Sequence, residues 1–339
     1  MITVAPSLTL THSTVYAVPN RANPRLLFPG QGVMQRWRYS GLYPAFRSTA
    51  KVYRWVMRAR AALKLVDQLT AIPAPDDLKA FVQDCFGAEV SAGVVLMGTP
   101  GPAQKLIVQL WGDGLVLGYM KYGKTLIAKD RIEREHAVLS GLAQNLGPCP
   151  LKFAQFADGV AMIMSPVCGK QLPASLSSAS LAKGLLNRMT LGVEHSVHEH
   201  PWIKRLSERY GHALPWLDAL AGRTWPVVVQ HGDFAPWNIF QDRSGILRAI
   251  DWEYGDLEGF PYMDRSFFVL QVGRLMNRWS PERAKDYAVS VLDRDLPRHQ
   301  AEALIRLVAL DTYNKALEDN NETDAPALRW WQTVWKEKR

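Results

Sequence analysis

Acidic residues are missing from the first 66 positions of this chain. Ten Lys or Arg occur there, and Asp67 is the first acid. The full 339 residues hold 40 basic and 32 acidic side chains, a net charge of +8, so the stretch after residue 66 carries 30 against 32 and a net of −2. The excess positive charge belongs to the N-terminal stretch alone. A body so close to neutral argues against a nucleic-acid binder, whose contact face is broadly basic. Cysteine is also scarce. Cys85, Cys149 and Cys168 are odd in number and scattered, which excludes a disulfide framework or a zinc cluster and suits a reducing cytosol. No apolar run approaches the ~18 residues of a bilayer span. Met1–Ala5 lack the basic flank of a secretory signal. A cytoplasmic protein is expected.

What is present describes an ordinary globular chain, 47% hydrophobic and 21% charged. Its length suffices for two lobes with separate cores. Three regions are expected: a basic N-terminal extension over 1–75, a small lobe over 76–167 and a larger one over 168–339. Residues 1–45 are rich in Pro, Arg and aromatics and read as extended or irregular chain. From Phe46 to Leu69 the pattern is helical: Phe46, Ala50, Tyr53, Met57 and Ala61 recur at 3–4 spacing, and Val52, Val56 and Leu63 widen the face. Arg47, Lys51, Arg54 and Arg58 make a basic stripe. Residues 21–64 therefore suit peripheral contact with an anionic membrane, at its inner face, or with an acidic partner. The favoured reading packs the apolar face of this helix on the body and leaves its basic edge in water. Pro73–Asp77 marks the boundary. Val94–Met97, Lys105–Leu110, Leu115–Tyr122 and Val160–Met164 read as strands, and Ala128–Asn145 as a helix stopped by Gly147–Pro150. Beyond Leu172 the chain is mostly helical apart from two strands.

Those two strands carry the most informative residues. The apolar run Val227–Val229 leads into Gln230-His231-Gly232-Asp233, with Asn238 five residues after the Asp. Ile250-Asp251-Trp252-Glu253 then delivers a second Asp thirteen residues beyond the Asn. An acceptor carboxylate, an amide oxygen and a second carboxylate are the groups that phosphoryl transfer from Mg-ATP requires, and the spacing matches H-R-D-x-x-x-x-N followed by D-F-G. Gly232 stands where protein kinases have Arg, and Trp252-Glu253 replaces Phe-Gly. The block, with residues 90–270 around it, resembles the aminoglycoside phosphotransferase and choline kinase superfamily. That resemblance implies an α+β, protein-kinase-like bilobal fold: an antiparallel-sheet N-lobe with one helix and a mainly helical C-lobe.

The resemblance also assigns roles. Asp233 is the candidate general base, its carboxyl expected near the ordinary range. Asn238 and Asp251 are candidate Mg²⁺ ligands, both offering oxygen. His231 and Asp264 support the loop. Lys121 resembles the strand lysine that contacts the α and β phosphates, with Lys124 as its competitor. Glu135 is its expected partner, because Ile132, Glu135, Leu139 and Leu142 share one helix face and an inward acid needs a counter-charge. Gly98 and Gly101 are the candidate phosphate-covering turn, although Pro100 and Pro102 remove two donors and no G-x-G-x-x-G occurs. Met164 and Pro166, at the exit of a strand, are the expected adenine-side hinge. Glu253, Asp256 and Glu258 offer either a site for a cationic acceptor or a solvated loop. His195, His198 and His200 have no standard metal-ligand spacing. Trp330, Trp331 and Trp335 suit a packed last helix.

The leading expectation is a phosphotransferase acting on a hydroxyl of a small polar acceptor, a saccharide type in preference to choline-like or aminoglycoside types, with ATP or GTP as donor. Its rival is a kinase-fold scaffold without turnover, recruited through the basic N-terminus.

Overall fold

In the computed structural model, residues 14–71, 73–87, 90–143, 145–210, 215–320 and 325–336 are described. Met1–Ala5 lie outside them, as does Gln144 in the last turn of the helix expected over Ala128–Asn145. The chain forms two compact units, Met1–His136 with Cys149–Pro166, and Ala137–Pro148 with Val167–Arg339. The fold is α+β, with antiparallel sheets and ten α-helices among the described residues, and the single helix expected within residues 76–167 is corrected to two, Asp76–Phe86 and Leu126–Gly141. None of those helices is long and apolar enough to cross a membrane.

The first unit is built on one antiparallel sheet. Its elements begin with β1 (Thr14–Val18), β2 (Leu26–Phe28), α1 (Val33–Tyr39), α2 (Ser48–Ala62), β3 (Asp67–Thr70) and α3 (Asp76–Phe86). There follow β4 (Ala92–Met97), β5 (Leu106–Gly112), β6 (Leu115–Gly123), α4 (Leu126–Gly141), β7 (Pro150–Gln155) and β8 (Val160–Met164). The strand order is β3-β1-β2-β4-β5-β6-β8-β7. The expected irregular N-terminal chain is therefore corrected: β1 and β2 are sheet strands, and β2 pairs with β4 through Leu26↔Leu96 and Leu27↔Val95. The period of two explains why. Val15 and Ala17 of β1 point to a core shared with Leu78, Phe81 and Val82 of α3. Tyr16 and Val18 point to the opposite core, shared with Tyr39, Met57 and Ala61 of α1 and α2. Both faces of this end of the sheet are thus covered. Arg36, buried on α1, is satisfied by the carbonyls of Gln31, Ala61 and Ala62 and fixes α1 against the end of α2.

The second unit contains β9 (Lys170–Gln171), α5 (Ala179–Arg188), β10 (Thr190–Ser196), α6 (Pro201–Tyr210), β11 (Thr224–Gln230) and β12 (Ile239–Gln241). It continues with β13 (Leu247–Ala249), β14 (Asp256–Gly259), α7 (Met263–Leu275), α8 (Pro281–Leu292), α9 (Arg298–Asn320) and α10 (Pro326–Trp335). Two three-stranded sheets, β10-β11-β14 and β13-β12-β9, sit within this helical unit. Its core gathers Trp225, Phe260, Phe267, Leu304 and Val308. Trp331 of α10 stacks on Phe267 at 5.9 Å and 8°. Trp330 donates its indole N–H to the Trp279 carbonyl. The C-terminal tryptophans are packed, as expected.

Candidate active site

β11 ends at Gln230, and the chain turns sharply through His231 and Gly232. The turn is clamped from α7. Asp264, in the first turn of that helix, accepts the His231 N–H at 2.7 Å on one carboxylate oxygen and the Gly232 N–H at 2.9 Å on the other. Burial pushes the Asp264 carboxyl up to about 6, against the pull of those two amides. His231 is fully buried. Its Nε2 lies 2.9 Å from the Ile250 carbonyl, and its Nδ1 lies 3.2 Å from the Asp233 N–H. One tautomer, protonated on Nε2, satisfies both contacts. His231 and Asp264 therefore hold the loop, as expected of them.

Gly232 has φ +79°, and a Cβ there would lie 2.2 Å from the Tyr254 carbonyl oxygen. No side chain fits, which is the physical reason that Arg is absent from this position.

The loop delivers Asp233 beside Asn238. The Asn238 amide donates from Nδ2 to Asp233 Oδ2 at 2.9 Å and to the Asp233 carbonyl at 3.0 Å. With Nδ2 committed, Oδ1 is the atom Asn238 has left for a cation. β12 and β13 then bring in the second carboxylate: Ile239 pairs with Ala249, and the Ile250 N–H bonds the Asn238 carbonyl at 2.8 Å. The next residue, Asp251, leaves this ladder with φ +71°. Trp252 anchors the turn, fully buried, with its ring 4.6 Å from that of His231 and its indole N–H on the Ala249 carbonyl.

Asp233 differs from expectation in its acidity. Burial, and next the negative charge of Asp251, push its carboxyl up to about 7 rather than leaving it near 3.8. The Asn238 hydrogen bond and the charge of Lys315 pull the other way. Lys315 of α9 was not among the residues singled out by motif or spacing. It pairs with Asp311 at 2.7 Å, largely out of water, and its ammonium lies 5.6 Å from the Tyr254 ring centroid. The i, i+4 spacing of Asp311 and Lys315 reads from sequence as an ordinary surface pair. Tyr254 in turn hydrogen-bonds Asp319 on the same helix.

Of the three acids considered for a cationic acceptor, Asp256 and Glu258 are already engaged. Arg205 of α6 reaches Asp256 at 2.8 Å and Glu258 at 2.6 Å. In the histidine segment the His195 and His200 rings meet edge-on at 6.0 Å. His200 is buried, with Nδ1 near the Trp202 N–H and Nε2 near the Pro226 carbonyl, while His198 faces Asp218 at 3.6 Å. Burial lowers the His200 pKa.

In the first unit, Lys121 on β6 and Glu135 on α4 meet as expected. Nζ lies 2.8 and 2.6 Å from the two carboxylate oxygens, and both side chains are buried. Lys124 instead bonds Asp158 at the surface. Glu133, on another side of α4, accepts from Gln155. The β4–β5 turn is self-contained: Gly98 donates its N–H to the Lys105 carbonyl at 2.8 Å and Gln104 donates to the Gly101 carbonyl. The Gly98 amide is thus engaged within the hairpin, while Thr125, just before α4, donates to the Pro102 carbonyl. Met164 ends β8, paired with Tyr119 and buried. Pro166 follows Ser165, whose N–H bonds the Cys149 carbonyl.

No family model matches the chain, and no curated protein matches it. Among solved structures, the aminoglycoside phosphotransferase APH(3'')-Id from Streptomyces rimosus is similar over 68% of this chain and 98% of its own, at 20% identity and a TM-score of 0.40. The same protein in complex with ADP and streptomycin aligns over the same shares at 18% identity and a TM-score of 0.40. The bifunctional kinase-methyltransferase WbdD is similar over 68% of this chain and 47% of its own, at 16% identity and a TM-score of 0.31. The chain spans about half the length of WbdD. Likeness at this level leaves function to the geometry of the site.

Proposed function

We propose that this protein transfers the γ-phosphoryl group of ATP to a hydroxyl of a small polar acceptor, with a saccharide-type acceptor favoured. One observation carries the reading: the turn after β11 and the β12–β13 ladder deliver Asp233, Asn238 and Asp251, with the Asn238 amide orienting the Asp233 carboxylate at 2.9 Å. Structural carboxylates are normally paired with cations or donors that lower their pKa. A carboxyl held near 7 suits a group that takes a proton during turnover.

The roles follow from the donors. Asp251 and Asn238 Oδ1 make a hard-oxygen pair that fits Mg²⁺. These two residues would hold the ion, which would supply positive charge against that of the nucleotide phosphates. Lys121, held extended by Glu135, contacts the α and β phosphates. Asp233 orients the acceptor hydroxyl and receives its proton as the acceptor oxygen bonds to the γ-phosphorus and the bond to the β–γ bridging oxygen breaks, releasing ADP. The backbone at Met164 and Pro166 is assigned to the adenine edge, and the turn that holds Gly101 to the phosphates. GTP is the second donor to be compared. Arg205 already compensates Asp256 and Glu258, which favours a hydroxyl-rich acceptor over a cationic one.

The test is Mg²⁺-dependent ATP and GTP consumption against a panel of sugars, amino alcohols and aminoglycosides. Acceptor-stimulated turnover is expected, falling by ~10³-fold or more in Asp233→Asn with Mg-nucleotide affinity kept. Undiminished turnover in that variant would overturn the assignment.

A further inference from the structure

Helix α2 is apolar on two sides, and only one of them is packed. Met57 and Ala61 are buried against Tyr16, Val18 and Phe28. At 100° per residue, Val52, Trp55, Val56, Ala59 and Leu63 fall at i, i+3, i+4, i+7 and i+11 and form a stripe on the other side. That stripe faces water: Val52 is 66% exposed, Trp55 62% and Leu63 65%. The favoured sequence reading, an apolar face turned wholly to the body and a basic edge to solvent, is therefore corrected. Solvent meets an apolar face with basic margins.

The surroundings extend the patch. Trp37 of α1 packs edge-on against Trp55 at 6.4 Å, and the Arg58 guanidinium sits 4.3 Å above the Trp37 ring while bonding the Trp37 carbonyl. Val33 and Met34, at the start of α1, are exposed as well. Lys51 flanks the stripe on one side and Arg60 and Lys64 on the other; all three are exposed. No acid precedes Asp67.

We infer that this face of α1 and α2 docks on an anionic lipid bilayer. The chemistry selects that occupant. A flat apolar stripe with tryptophan at its centre and lysine or arginine at both margins matches a boundary that is apolar below and negatively charged above. A second copy of the chain would set the same basic margins against each other, a like-charge juxtaposition that disfavours self-pairing. An acidic polypeptide accounts for the charge but not for the exposed Val52, Trp55 and Leu63. The proposed phosphotransfer reaction and this docking are independent, since none of these residues belongs to the candidate active site.

The experiment uses the full chain in vesicle co-sedimentation, with phosphatidylcholine alone and with phosphatidylcholine containing about a quarter phosphatidylglycerol. Binding is expected only with the anionic lipid, weakening as salt rises. Trp55→Glu with Val56→Glu, and separately Lys51→Glu with Arg60→Glu, should each lower the partition at least tenfold. Both variants should stay folded and keep the parental Mg-nucleotide affinity, with melting lowered by no more than a few degrees for the lost Trp37–Trp55 contact and the Arg60 bond to the Leu65 carbonyl. Three results would overturn the inference. The parent fails to bind anionic vesicles. Either variant binds like the parent. Or sedimentation velocity shows a parental dimer that the Trp55 variant converts to monomer, assigning the face to self-association.

Discussion

Gly232 is where the smallest side chain decides the most. Its amide is fixed by Asp264, its φ is positive, and the Tyr254 carbonyl occupies the space a Cβ would take. Gly232→Ala combines backbone strain with overpacking, an expected loss of about 3 kcal/mol. It should also displace Asp233, so activity falls with stability. Denaturant unfolding reads the first effect, and a parental midpoint would refute it. The buried Lys121–Glu135 pair calls for a different comparison. Removing one partner unbalances the charges gathered there, a cost that replacing both with apolar groups of similar size avoids. Glu135→Leu alone should therefore be less stable than Lys121→Met with Glu135→Leu, although both lose Mg-nucleotide affinity. Equal stability of the two would show that Lys121 has an adequate second counter-charge. These residues were legible in the sequence because chemistry fixes their type and spacing. Lys315 was not, since its proximity to Asp233 comes from helix packing and no local pattern encodes it.

Whole elements were less legible where they are short. β4, β5, β6 and β8 stand out because each is at least five residues long and mostly apolar. β2 has only three residues, set among Pro, Asn and Arg, and composition made the region look irregular. Its strand character comes from a long-range partner, β4, and from burial on both faces, neither of which is visible in a local window. The same holds for α3, whose Leu78, Phe81 and Val82 become a helix face only against the sheet. This arrangement bears on truncation. Deleting residues 1–66 removes the strands beside β4 and uncovers Ala92, Val94 and Val95. An unpaired apolar edge pairs with other chains. The shortened protein is expected to aggregate when the full chain stays soluble, which light scattering at matched concentration would check. A monomeric, active truncation would mean that the first strands are an appendage. For the same reason the docking inference is tested by surface substitutions and not by deletion.

At the scale of the molecule, global stability should report the charge state of the site. Asp233 and Asp264 are both raised, to about 7 and about 6, above the ordinary value of 3.8. Between pH 4 and pH 7 the folded chain thus holds protons that the unfolded chain has released, and stability from these groups falls as pH rises through that window. Other groups tilt the profile differently. The neutral, buried His200 favours folding as pH rises toward 6.5, and Asp242, lowered to about 2 by Ser244 and Arg248, acts only in stronger acid. The difference between parent and Asp233→Asn cancels those shared terms. With EDTA present, the variant should melt close to the parent at pH 5 and several degrees above it at pH 8, where the parent carries two neighbouring carboxylates. Mg²⁺ should restore the parent at pH 8, by ~2.7 kcal/mol at a hundredfold excess over its dissociation constant, because a divalent cation between Asp251 and Asn238 relieves the repulsion that protonation relieves at pH 5. A melting difference independent of pH would mean that Asp233 is ionised throughout. The carboxylate would then be an ordinary one, and its claim to accept the acceptor's proton would rest on position alone.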